Sequence, residues 1–123
     1  MLERSDVWRW AFASISTGDR PPDLAGYEVS AREDIVGKVE AVVDSDNGRS
    51  CLVVKLRDST AGKKRTVPVG VVDSIDHPNR RIIVRLTRGE IARAPDYHAG
   101  VFDDDDIRTR HEDYYLPYLR PRP

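Results

Sequence analysis

Asp44, Asp46, Asn47 and Gly48 stand together in VVDSDNGRSCLVV, residues 42–54, and come nearest to forming a cation site. A calcium loop of the EF-hand kind needs oxygen ligands at its positions 1, 3 and 5, Gly at 6 and Glu at 12. With Asp44 first, Asp46 falls third, but the fifth residue is Gly48 and the twelfth is Lys55. One lacks a side-chain oxygen and the other is a cation. A turn fits better. Asn-Gly adopts positive φ at low cost and favours type I′ hairpins. Val39, Ala41 and Val43 alternate before it, and Leu52, Val54 and Leu56 alternate after it.

No other spacing points to catalysis or metal binding. His77, His98 and His111 are far apart in the chain, and none lies near other ligand types in a metal pattern. The serines have no nucleophile-elbow context, and no Gly-rich phosphate loop is present. Cys51, the single cysteine, falls inside an apolar run and reads as a buried, inert thiol. Four consecutive acids, Asp103 to Asp106, suit a helix N-terminus or a solvated face better than one ion. The expectation is therefore no catalytic residue, no cofactor and no metal.

Charge offers one candidate surface. Lys63, Lys64 and Arg65 form a basic cluster, and Arg81 and Arg85 follow in the next hairpin region. On one face they would make a patch able to meet phosphate or an acidic protein. The competing reading is edge protection, since charges keep open strands from pairing with other chains. The formal net charge is −1, and no aromatic interleaves with these cations in sequence, so nucleic acid is an unexpected partner.

The elements that must position these residues form three segments. Residues 1–24 are a helical arm, 25–98 a β-rich core and 99–123 an acidic, aromatic tail. In the arm, Val7, Trp8, Ala11, Phe12 and Ile15 fall on one helical face. A helix this short is marginal alone, so the stripe must bury on its own core or on a partner. The core alternates at period 2 through Tyr27–Ala31, Val39–Val43, Leu52–Leu56, Val67–Val69 and Ile82–Leu86. Short strands at this spacing predict a mainly β fold, a small antiparallel barrel. Thr87 and Glu90 form a capping-box pair that opens one helical turn, which Pro95 ends. In the tail, Ile107, His111, Tyr114 and Tyr115 share one face of a helix. Tyr114, Tyr115 and Leu116 then either strap onto the barrel or meet a partner.

Two stretches carry a family resemblance: GYEVSAREDIVGKVEAVVDSDNGRSCLVVKL and VPVGVVDSIDHPNRRIIVRLTRGEIARAPDY. From Gly26 to Tyr97 this order of strands, glycines and turns resembles the PRC-barrel family. That family includes the cytoplasmic barrel of the photosynthetic reaction-centre H subunit. It also includes the C-terminal domain of the ribosome maturation factor, which binds a small-subunit protein. The resemblance implies a PRC-type barrel without a catalytic signature. Glu33-Asp34 stands where the family has Asp-Gly, and arm and tail lie outside the pattern.

The expected function is a non-enzymatic adaptor that holds a protein partner or a second copy, as a homodimer, through Trp8, Phe12, Ile15, Tyr114, Tyr115 and Leu116. The alternative is a ribosome- or RNA-associated accessory domain that uses the basic patch. No run of 18 apolar residues exists to span a membrane, and the N-terminus lacks the pattern of a signal peptide, so a cytoplasmic location is expected.

Overall fold

The computed structural model describes residues 4–9, 24–31, 34–45, 49–57 and 63–119. The Asn47-Gly48 turn, Phe12 and Ile15 lie outside them. The fold is mainly β, a six-stranded sheet curled into a small barrel. Its strands are β1 (Glu28–Ser30), β2 (Ile35–Asp44), β3 (Ser50–Leu56), β4 (Lys64–Pro68), β5 (Val72–Asp76) and β6 (Arg81–Val84). The spatial order is β4-β3-β2-β1-β6-β5.

Not every pair is antiparallel, as the alternation alone had suggested. β1 runs parallel to β6, with Glu28 beside Arg81 and Val29 beside Ile82. The parallel pair arises because β1 closes against the far hairpin, β5–β6, instead of a sequence neighbour. A 3-10 turn, Val69–Val71, carries the chain from one edge strand, β4, to the other, β5. Val29, Val39, Leu52, Val54, Val67, Ile82 and Val84 project inward and are fully or almost fully buried.

β2 is irregular at two places: its register against β1 shifts between Gly37 and Ile35, beside the glycine, and its register against β3 shifts between Val39 and Ala41. A Cβ on Gly37 would stand 2.1 Å from the Lys55 carbonyl oxygen, so the residue is needed for the close approach of β3. In the turn between β5 and β6, Arg80 takes the left-handed conformation at φ 54°, while the Asn79 side chain donates to Asp76 at 2.7 Å.

The described parts of arm and tail pack on the barrel. The arm forms a 3-10 turn over Arg4–Trp8. This turn lies against the Val69–Val71 turn, where a Cβ on Gly70 would come within 2.5 Å of the Val7 carbonyl. Helix α1 (Arg88–Ala92) has the expected capping box: Glu90 N–H donates to Thr87 Oγ1 and Thr87 N–H donates to Glu90 Oε1. Helix α2 spans Asp105–Tyr115, and the Asp104 carboxylate caps it by accepting from the N–H groups of Asp106 and Ile107. A 3-10 turn, Leu116–Tyr118, follows. No helix among the described residues is long and apolar enough to cross a membrane.

Candidate functional site

Of the residues expected to meet a partner through arm and tail, the four described ones, Trp8, Tyr114, Tyr115 and Leu116, are buried or half-buried in this chain. Trp8 is fully buried, its indole N–H donates to Glu112 Oε2 at 2.7 Å, and its ring meets Phe102 edge-on at 5.1 Å. Tyr115 is also fully buried. The Tyr114 hydroxyl donates to the Glu90 carbonyl, which ties the tail to α1. Leu116 packs half-buried against the core. Trp8 and Tyr115 are therefore core rings here, joined through the His111 ring between them.

The five cations of the expected patch do not form one surface. β4 and β6 lie far apart in the sheet, with three strands between them. Arg65 points inward and is buried. Its guanidinium donates to the carbonyls of Ile91 and Ala92 and to Asp96 Oδ1, at 3.3, 2.9 and 3.2 Å. It thereby holds the C-terminal end of α1, where unpaired carbonyls favour a cation. Arg85 donates to the Gly70 carbonyl at 3.0 Å and pairs with Asp73. Lys63 is exposed, just before β4.

Two members of the set, Lys64 and Arg81, belong to a different arrangement. One line of registered residues crosses all six strands on the outer face: Lys64, Lys55, Lys38, Glu28, Arg81 and Asp76. Its two ends are neutralised. Lys64 Nζ donates to Glu40 Oε2 at 2.6 Å, and Arg81 reaches Glu28 at 3.4 Å. Its middle is not. Lys38 stands directly opposite Lys55, both side chains are exposed, and neither makes an ion pair among the described residues. Like charges directly opposite on neighbouring strands repel. Arg57, also exposed, adds a third cation. The three border an open cleft of about 510 Å³ that includes Ile35 and Leu56.

No family model matches the sequence, and no curated protein matches it. Among solved structures, 54% of this chain superposes on 42% of a Pseudomonas aeruginosa protein described as a 16S ribosomal RNA processing protein, RimM. The identity is 21% and the TM-score 0.45. This chain thus matches less than half the length of that protein.

A second cleft, about 380 Å³, opens where the segment after α1 meets α2. Tyr97, 37% exposed, stands on one wall, and Arg110 and His111 come from the helix. Lys64 Nζ lies 5.8 Å from the centre of the Tyr97 ring, and the Tyr97 N–H donates to the Lys64 carbonyl at 3.3 Å. Burial holds the His111 imidazole below the usual histidine range; the Ile107 carbonyl opposes this, while Arg110 and His98 reinforce it.

No three residues among His, Cys, Asp and Glu come together as a metal site among the described residues. Burial, reinforced by Asp44, pushes the Cys51 thiol up to about 12, so it stays protonated and unreactive at neutral pH. His77 is engaged with the Tyr27 hydroxyl at 3.0 Å.

Proposed function

We propose that this chain is a ribosome- or RNA-associated accessory domain, a non-enzymatic barrel that sets its lysine row against a phosphate-bearing surface. The observation that carries the reading is the Lys38–Lys55 opposition, with Arg57 beside it and no carboxylate paired to any of the three among the described residues. A phosphate backbone supplies counter-charge to three cations that share the cleft with one carboxylate, Glu28, itself held by Arg81. Its binding releases condensed counterions, which favours contact even for a chain of net charge −1.

The test is fluorescence anisotropy with a structured RNA over a range of salt. Each neutralised phosphate contributes a slope of about −0.7 to −0.9 in log K against log salt. Lys38→Glu and Lys55→Glu should abolish binding. Affinity that is independent of salt, or that survives both substitutions, refutes the reading.

A protein adaptor is the second reading, favoured by Ile35 and Leu56 among the same cations. An acidic, amphipathic segment of a partner or of a second copy fits such a cleft. Its binding would fall less steeply with salt and would weaken on Leu56→Asp.

A further inference from the structure

We propose that the cleft between Tyr97 and α2 seats an unpaired nucleobase of the RNA strand that lies along the lysine row. The inference rests on the RNA reading above and adds what the barrel selects: a single-stranded end or bulge next to a duplex.

Tyr97 extends the row. Its N–H donates to the Lys64 carbonyl, and Asp96 bridges to Arg65, so the segment carrying Tyr97 lies beside β4 as the next position across the sheet. A strand tracked by Lys38 and Lys55 and continued past the Lys64–Glu40 pair would therefore arrive at an aromatic face. Of the large apolar side chains among the described residues, Tyr97 is the exposed one. Single-strand binders combine these two features, cations that follow the backbone and an aromatic on which a base stacks.

The platform is preorganised. Arg65 grips Ile91, Ala92 and Asp96 from inside, which fixes the residues just before Tyr97. The facing wall suits a nucleotide. Arg110 is exposed and without an ion pair among the described residues, so it is available to a phosphate or to the second face of a base. The Gly100 N–H donates to His98 Nδ1, which orients that ring at the mouth of the cleft. His111, buried and neutral, forms an uncharged inner wall.

The test compares a blunt RNA hairpin with the same hairpin carrying a short 3′ single-stranded extension, and titrates adenosine monophosphate into isotope-labelled protein. The extension should tighten binding at least about fivefold, the lower bound for one base stacked on an aromatic. The gain should vanish in Tyr97→Leu and persist in Tyr97→Phe, and the nucleotide should shift the amides of Tyr97, His98 and Arg110. Because Tyr97 is exposed, a thermal melt should report unchanged folding for both variants. Equal affinity for the two hairpins, with both lost in Lys55→Glu, overturns the base pocket and leaves the RNA reading standing. If neither hairpin binds and polyglutamate does, the row reads acidic protein and both proposals fall.

Discussion

Lys38 on β2 faces Lys55 on β3 directly, two ammonium groups opposed across one ladder of a sheet whose neighbouring outer-face charges are paired. Such an arrangement weakens the fold in isolation. Lys55→Glu converts the repulsion to attraction and should stabilise the free protein by about 0.2–1 kcal/mol, read as a raised denaturation midpoint. The same variant should lose RNA binding. A midpoint that falls would show that Lys55 already has a stabilising role, and the opposition would no longer call for a ligand.

Trp8 is a core residue, so its removal should act on stability. Trp8→Ala should cost about 3–5 kcal/mol, the range for emptying a buried aromatic site. Trp8→Phe retains most of the ring but takes the donor from Glu112, and should cost about 1–3 kcal/mol. Light scattering should show the same oligomeric state for Trp8→Phe as for the parent. A change from dimer to monomer would return the arm to the contact surface.

Arg65 supplies a planar fork that Lys cannot reproduce. Arg65→Lys should destabilise, and Arg65→Ala by about 1–3 kcal/mol, because the carbonyls of Ile91 and Ala92 at the end of α1 lose their donor. Urea melts followed by circular dichroism give both values. A near-neutral Arg65→Lys would mean that one charge, and not the fork, is what α1 needs.

Acid should weaken the protein through His111. Its folded-state pKa lies below the ordinary value, so the unfolded chain binds the proton more readily. The stabilising difference is fully present above the unfolded value of about 6.5 and is lost as pH falls below it, by at most about 1.4 kcal/mol per pH unit. Melting temperatures between about pH 7 and about pH 5 should decline in the parent and decline less in His111→Phe. Equal slopes would assign the acid sensitivity to another group.

Local chemistry was legible in the sequence wherever the signal was local. Thr87 with Glu90, the aspartates before α2 and the apolar face at His111 and Tyr115 all reappear in the structure. Register was not legible. The hairpin pairs Asp44 with Ser50, and continuing that register would set Lys38 against Leu56; the bulge between Val39 and Ala41 brings Lys55 there instead. Nothing in the residue types around Glu40 announces the bulge. The pairing of β1 with β6 and the approach of Tyr97 to Lys64 are long-range as well, and sequence neighbours such as Lys64 and Arg65 are divided between two faces. In a strand, successive side chains turn to opposite faces, and Arg65 faces inward where Lys64 faces out.

The bond between Trp8 and Glu112 joins residues 104 positions apart. During synthesis at about 5–20 residues per second, the indole emerges about 5–20 s before its carboxylate exists. Through that interval Val7 and Trp8 have no tail to cover them, so the growing chain presents an apolar N-terminal segment to any chaperone at the ribosome. A nascent chain halted before Glu112 should be cut by protease near Trp8, and one halted well beyond it should resist.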